Sequence, residues 1–151
     1  MIPLDQILTA KQVYIDHLGS SKKKVLQTLA EHLASDIPGL SEIDLFDQLI
    51  ARERLGSTGL GQGIAVPHCR LAQVNKPIAA LAHLTEAVDY ESPDNEPVDL
   101  VFTLVVPEDA TDEHLNLLAA VVERFNDTNR VAELRAATDA NTLFQRFIAS
   151  S

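Results

Sequence analysis

The chain has 151 residues, of which 46% are hydrophobic and 23% are charged, a balance typical of one globular domain and not of a disordered segment. Its formal net charge of −10 argues against binding to nucleic acid or anionic lipid, because both need clustered Lys and Arg. One cysteine excludes an intrachain disulfide, and no apolar run approaches the roughly 18 residues of a membrane span, so we expect one cytoplasmic domain over residues 1–151, without membrane insertion.

The first part of the chain predicts a short strand followed by a helix. A helical lead-in is expected over residues 3–8 and a strand over residues 13–15. Ser20 or Ser21 can cap the helix that follows. Its apolar side chains recur at helical spacing: Val25, Leu26, Leu29, Ala30 and Leu33. The basic run at residues 22–24 is interpreted as the solvated first turn of this helix.

A second helix is predicted from residues 41–44, which resemble a capping box. Its buried face is expected to be formed by Leu45, Phe46, Leu49 and Ile50. Arg52 and Arg54 fall in its last turn, before Gly56, where basic side chains complement the helix dipole. We assign that role to Arg54, whereas for Arg52 the position alone leaves open whether it serves as the counter-charge of an anion.

Glycines cluster directly after this helix. Four of the six glycines fall within residues 56–63, a density that predicts a shaped loop with positive φ or close backbone approach. Backbone amides in such a loop can bind phosphate together with nearby arginines. Gly59, Gly61 and Gly63 are therefore candidate phosphate-loop residues.

His68 has two interpretations. Pro67 withholds one hydrogen-bond donor and forces the residue before it into an extended conformation, so His68 is expected at the end of a strand over residues 64–68. On a continuing strand it would share a face with Ile64 and Val66 and point into the core as a structural histidine. The glycine loop and the arginines favour a phosphate-handling role instead.

The rest of the chain predicts two strands and several helices. A strand is expected over residues 78–84, and the apolar run at 98–106 is typical of a central strand covered on both faces. Thr111 can cap a helix with the apolar stripe Leu115, Leu118, Val121, Val122 and Phe125. A last helical pair is expected near residues 131–134 and 142–148. This order predicts a three-layer α/β/α domain with a mixed sheet of four to five strands.

Residues 52–68 resemble the active-site signature of the fructose/mannitol-type enzyme IIA domains of the bacterial phosphotransferase system, and most of all the nitrogen-regulatory enzyme IIA. The resemblance continues through residues 95–100 and 104–107 to His114 and the leucine after it. It implies that His68 carries a transient phosphoryl group on its tele nitrogen, with Arg52 and His114 beside it. It also implies a histidine-phosphorylated carrier protein of the NPr or HPr type as donor, and regulatory targets such as potassium transporters or sensor kinases.

His114 alone is a weak signal, and a solvent-facing position in the acidic stretch 112–114 is its alternative. Its place in the first helical turn after Thr111 favours a neutral imidazole beside an anion. The residue after the phosphorylated histidine is usually glycine in the family, and here it is Cys69. A cysteine would be strained there if positive φ is required, and would otherwise narrow the choice of partner.

No metal and no cofactor are expected, since the sequence lacks metal-binding spacings and the glycine loop lacks the Gly-Lys-Ser/Thr of a P-loop. Three functions stay open. The first is a stand-alone phosphocarrier of the nitrogen-related phosphotransferase system. The second is a component that passes phosphate to a fructose- or mannitol-type permease domain, and the third is a regulatory module that has lost transfer. The set of Arg52, His68 and His114 argues against the third, and no fused transporter is expected, which favours the first.

Overall fold

The computed structural model describes residues 3–149. Two 3-10 helices, Leu4–Gln6 and Ala10–Gln12, lead into strand β1 (Val13–Asp16), and helices α1 (Lys22–Asp36) and α2 (Glu42–Arg54) follow. Five strands come next: β2 (Gly59–Gly61), β3 (Ile64–Ala65), β4 (His68–Leu71), β5 (Ile78–Val88) and β6 (Val98–Pro107). The last elements are α3 (Asp112–Asn126), α4 (Thr128–Ala136) and α5 (Ala140–Ile148). Within the described residues, no helix is both long and apolar enough to cross a membrane.

Strand β6 is the centre of one mixed sheet. Neighbouring strands follow the order β1-β5-β6-β3-β2, and β4 also pairs with β6. Strand β5 runs antiparallel to β6, whereas β3 and β4 run parallel to it. Every residue of β6 except Asp99 is buried, which confirms the predicted central strand with both faces covered.

The sheet has six strands, where four to five were predicted. One extra strand is β2, formed by the glycine segment itself and paired antiparallel with β3. The other arises because the predicted strand over residues 64–68 is interrupted after Ala65. Pro67 has no N–H to donate to β6, so the regular pairing is broken at residues 66 and 67, although the Pro67 carbonyl still accepts the N–H of Leu104 at 3.0 Å. The N–H of Val66 donates to the carbonyl of Thr58 at 3.1 Å.

Helices cover both faces of the sheet, which confirms the three-layer α/β/α architecture. One hydrophobic cluster joins the sheet to α1 and α2, and alternate β6 residues such as Val101 and Val105 point into it. A second cluster joins the opposite face, including Phe102 and Leu104, to α3, α4 and α5. The predicted stripe of α1 is buried throughout.

Three details of the predicted helices need correction. In α2, Leu45 and Leu49 are buried, but Phe46 and Ile50 are only half-buried. In α3 the buried face is formed by Leu117, Val121 and Phe125, so the predicted stripe was placed on the wrong side at its first turn. Leu115 is 50% exposed because it lies over an open cavity and not over the sheet.

The basic run before α1 also differs from expectation. Ser21 caps α1 as predicted, accepting the N–H of Lys24 at 3.2 Å. Lys23 and Lys24 are exposed, as expected of a solvated turn. Lys22 is not, because its Nζ pairs with a carboxylate oxygen of the buried Glu53 at 2.9 Å. Sequence spacing gave no sign of this contact, since the two residues belong to different helices.

Candidate functional site

The end of α2, the start of β4 and the first turn of α3 meet at one open cavity. It is lined by Gln48, Ala51, Arg52, Leu55, His68, Cys69, Arg70, Leu104, Val106, His114, Leu115 and Leu118. The fold thus brings Arg52, His68 and His114 to one place, although each belongs to a different element. The lining is mainly apolar. Its charged or titratable side chains are those of Arg52, His68, Cys69, Arg70 and His114.

His68 is the first residue of β4, and its ring is held by the backbone. Nδ1 lies 2.8 Å from the carbonyl oxygen of Val66. A carbonyl only accepts hydrogen bonds, so Nδ1 carries the proton and Nε2 keeps a free lone pair. Because the register with β6 is unshifted, His68 shares the face of Ile64 and Val66. It is nevertheless half-buried and lines the cavity, whereas Val66 is buried, so His68 is not a core histidine.

His114 has the opposite arrangement. Thr111 is the N-cap of α3, and its backbone N–H donates to Nδ1 of His114 at 3.3 Å. A backbone N–H can only donate, so Nδ1 is the unprotonated nitrogen and Nε2 carries the proton in the neutral ring. The ring is half-buried and lines the cavity, which excludes the solvent-facing alternative. His114 therefore offers a hydrogen-bond donor to a group bound in the cavity.

Arg52 supplies positive charge from the last turn of α2. Its Nη1 donates to the carbonyl of Gly56 at 2.9 Å, which fixes the guanidinium against the loop that follows the helix. Within residues 3–149 it forms no ion pair with a carboxylate. The other donors of this guanidinium are therefore free to bind an anion in the cavity.

Gln48, Leu55 and Arg70 also line the cavity and were not among the predicted site residues. Arg70 shares the parity of His68 on β4, and its Nη1 donates to the carbonyl of Glu108 at 3.1 Å. Gln48 lies one helical turn before Arg52. Both positions could have been found from these periodicities once the strand boundary at His68 was known.

The predicted phosphate-loop glycines lie elsewhere. Gly59, Gly61 and Gly63 do not line the cavity. A Cβ added at Gly59 would lie 2.3 Å from Oγ of Ser92, and one at Gly63 would lie 2.6 Å from a guanidinium nitrogen of Arg135. Gly61 and Gly63 also have positive φ, of 89° and 82°. These glycines allow a tight turn and close packing on the far side of β3, and the structure does not bring them into the cavity with His68.

Cys69 fits its position without backbone strain. It lies inside β4, opposite Val105, and is not among the described non-glycine residues with positive φ. Its side chain is buried in the cluster beneath α1 and α2. The possibility that this position demands glycine for its backbone conformation is thereby excluded. Among residues 3–149, no group of three or more His, Cys, Asp or Glu side chains is arranged to hold a metal ion.

Comparison with known proteins gives a consistent picture. The model of the family described as "Phosphoenolpyruvate-dependent sugar phosphotransferase system, EIIA 2" matches residues 6–150. A nitrogen regulatory protein of Pseudomonas aeruginosa is 45% identical over 145 residues, which cover 96% of this chain and 94% of that protein. The crystal structure of nitrogen regulatory protein IIA-Ntr from Neisseria meningitidis aligns with a TM-score of 0.89 at 36% identity, over 95% of this chain and 98% of that one.

The crystal structure of the mannitol IIA protein from Escherichia coli aligns with a TM-score of 0.77, over 93% of this chain and 98% of that one. At 19% identity this likeness concerns the fold alone. Together these comparisons confirm the resemblance and the fold inferred from the sequence.

We expect the thiol of Cys69 to be unreactive in the folded protein. Burial raises its pKa from 9.0 to about 12, so almost no thiolate exists near neutral pH, and the thiolate is the nucleophile. Iodoacetamide at pH 8 should therefore label the folded chain far more slowly than the chain unfolded in urea. Because the sequence has one cysteine, the intact mass reports on this residue alone. Equal labelling rates in the two states would show that the thiol is accessible.

Proposed function

This chain belongs to the EIIA 2 family of the phosphoenolpyruvate-dependent sugar phosphotransferase system, and we propose that it is a phosphocarrier that accepts a phosphoryl group on Nε2 of His68. Proteins of this family transfer phosphoryl groups. One observation carries the assignment to this atom: the Val66 carbonyl holds the proton on Nδ1, which leaves the Nε2 lone pair free in a cavity shared with Arg52 and His114.

In the proposed reaction, Nε2 of His68 attacks the phosphorus of a phosphohistidine on the donor. The donor's N–P bond breaks as the new N–P bond forms, and the donor imidazole leaves. Attack places positive charge on the His68 ring, which still carries its Nδ1 proton. The Val66 carbonyl stabilises that charge through the existing hydrogen bond, so the acceptor needs no base to remove a proton first.

Arg52 and His114 act on the transferring group in this proposal. Negative charge spreads over the equatorial oxygens of phosphorus in the transition state, and catalysis depends mainly on positioning and on fixed positive donors. Arg52 supplies a permanent charge, and its bond to Gly56 limits the freedom that must be lost on binding. His114 supplies a neutral Nε2–H donor, because Thr111 occupies its other nitrogen.

The proposed donor is a histidine-phosphorylated carrier protein of the NPr or HPr type. The proteins from P. aeruginosa and N. meningitidis are both named nitrogen regulatory proteins, which supports the nitrogen-related branch over sugar uptake. In that role the chain acts in the cytoplasm and regulates target proteins through its phosphorylation state. A phosphate adds roughly −1.5 to −2 charge beside the cavity, so a partner that contacts this face can distinguish the two states.

Exposed apolar side chains at the rim of the cavity offer a partner protein a docking surface. Leu55, at the end of α2, is 85% exposed, and Leu115 is 50% exposed, and both line the cavity. Exposed leucines on two sides of a reactive histidine are suited to contact with another protein surface, because burying them on docking removes apolar area from water.

Phosphorylation should require His68, whereas Arg52 and His114 should affect only its rate. After incubation with a phosphorylated carrier, mass spectrometry should show one acid-labile phosphate on the wild-type chain. The His68→Ala variant should gain none and unfold at a similar temperature, because its ring bonds only to the backbone of its own segment. Arg52→Ala and His114→Ala should keep the same phosphorylated residue but accept phosphate about a hundredfold more slowly. Phosphate on His114 in the His68→Ala variant would contradict these roles.

Replacing a rim leucine should weaken docking and leave the chemical step unchanged. In the Leu55→Ser variant, the carrier concentration for half-maximal transfer should rise about tenfold, which corresponds to about 1.4 kcal/mol of lost contact. The maximal rate should change little. Ile43→Ser is the matched control, since Ile43 is 71% exposed on the same helix and does not line the cavity. An equal effect of both substitutions, or none for Leu55, would remove the rim from the docking surface.

A further inference from the structure

Glu53 follows Arg52 in α2, yet no step of the proposed reaction uses it. It is only 8% exposed, which is unusual for a carboxylate. Its Oε1 accepts the backbone N–H of Thr58 at 3.1 Å and pairs with Nζ of Lys22 at 2.9 Å. Its Oε2 accepts the hydroxyl of Thr58. Both carboxylate oxygens therefore have hydrogen-bond partners, namely the ammonium group of Lys22 and the N–H and hydroxyl of Thr58.

Tyr90 completes this polar cluster. Its hydroxyl lies 3.1 Å from the hydroxyl oxygen of Thr58, and Nζ of Lys22 lies 4.6 Å from the centroid of its ring. Burial raises the pKa of Tyr90, and the Glu53 carboxylate raises it further. The guanidinium of Arg52 opposes that shift, so its charge is felt within the cluster. Glu53, Thr58 and Tyr90 thus form one hydrogen-bonded network, and Glu53 is the residue directly after Arg52 in α2.

The hydrogen bonds that Thr58 donates to Glu53 close a short loop of residues 54–57, and a carbonyl of this loop holds Arg52. Between these two residues lies Gly56, whose carbonyl accepts from Nη1 of Arg52. The loop has little packing of its own: Leu55 is 85% exposed, and a Cβ at Gly56 would meet nothing within 4 Å. Its position therefore depends on hydrogen bonds. Ser57 donates to the carbonyl of Tyr90 at 3.3 Å, and the Thr58 carbonyl accepts the N–H of Val66 at 3.1 Å. The N–H and hydroxyl of Thr58 are both bound by Glu53.

We propose that Glu53 is a positioning residue for phosphoryl transfer, which fixes the loop through Thr58 and so holds the Gly56 carbonyl that orients the Arg52 guanidinium. This inference rests on the proposed function. It adds a role that acts through Arg52, in which Glu53 touches neither the phosphate nor His68. Without the carboxylate, the Arg52 side chain keeps its charge but loses its fixed orientation.

The expected effect is on the rate of the chemical step. Misplacement of a charged group by about an ångström costs up to roughly a hundredfold in rate. Glu53→Gln should therefore lower the maximal rate of transfer from the phosphorylated carrier about 10- to 100-fold. The carrier concentration for half-maximal transfer should stay unchanged, because Glu53 is buried and contacts no partner.

A double-mutant cycle separates this role from a general loss of stability. Single-turnover rates are measured for the full chain, for Glu53→Gln, for Arg52→Ala and for the double variant. If Glu53 acts through Arg52, Glu53→Gln should change the rate less than about threefold once Arg52 is absent. An equal loss with and without Arg52, or no loss in the wild-type background, would overturn the proposal.

The Asp99→Asn variant is the matched control. Asp99 is a half-buried carboxylate that pairs with Arg135 at 2.9 Å and does not line the cavity. Its loss should lower the unfolding temperature and leave the transfer rate within about twofold, as expected for a contact remote from the reacting atoms. If Glu53→Gln does not fold, Thr58→Val gives a milder form of the test, because it removes the hydroxyl bonded to Glu53 but leaves the bond from the backbone N–H. A smaller loss of rate is then expected, and it should again disappear once Arg52 is absent. Failure of the wild-type chain to accept any phosphate would refute the proposed function itself. The proposal for Glu53 fails in a different way, when the wild-type chain accepts phosphate but Glu53→Gln causes no loss that depends on Arg52.

Discussion

The hydrogen bond from Nδ1 of His68 to the carbonyl of Val66 depends on a gap of two residues between β3 and β4. Both strands pair with β6 in one register, with Ala65 opposite Val101 and His68 opposite Leu104. The register is therefore unshifted across the gap, and the Pro67 carbonyl still accepts the N–H of Leu104 at 3.0 Å. In the gap, Val66 donates to Thr58 and Pro67 has no N–H, so the Val66 carbonyl is available to the histidine ring.

The two histidines of the cavity are complementary because each is held by a different backbone group. An acceptor carbonyl fixes the proton of His68 on Nδ1, and a donor amide fixes the proton of His114 on Nε2. One ring thus presents a lone pair and the other presents an N–H. Both assignments come from the ends of elements, the start of β4 and the first turn of α3, where backbone groups are not used by regular pairing. The Arg52 guanidinium, at the end of α2, is oriented in the same way by the carbonyl of Gly56.

Local signals in the sequence predicted much of this arrangement. The apolar run of β6, the stripe of α1 and the caps at Ser21 and Thr111 depend on residues close together in the chain, and each is confirmed. The interrupted strand was missed because Pro67 was interpreted as an end, whereas the parallel partner β6 allows pairing to resume. Whether pairing resumes depends on a strand some thirty residues later, which the local pattern does not contain.

Contacts between distant segments explain the other differences. The glycines at 59, 61 and 63 were expected to bind phosphate. They lie outside the cavity of His68, and their lack of side chains allows close approach by Ser92, Asp94 and Arg135 respectively. Lys22 was expected in a solvated turn, and it pairs with the buried Glu53 only because α1 and α2 pack together. Such pairs follow from tertiary packing, so propensity and spacing carry no signal for them.

The opposite protonation of the two rings decides which nitrogen can accept the phosphoryl group, and long-range proton–nitrogen NMR of the imidazoles measures it. The spectra are recorded near pH 8. Spectra of His68→Ala and His114→Ala assign the two rings among the five histidines. We predict the proton of His68 on Nδ1 and the proton of His114 on Nε2. A His68 ring protonated mainly on Nε2 would contradict it, because no free lone pair would then face the phosphoryl donor.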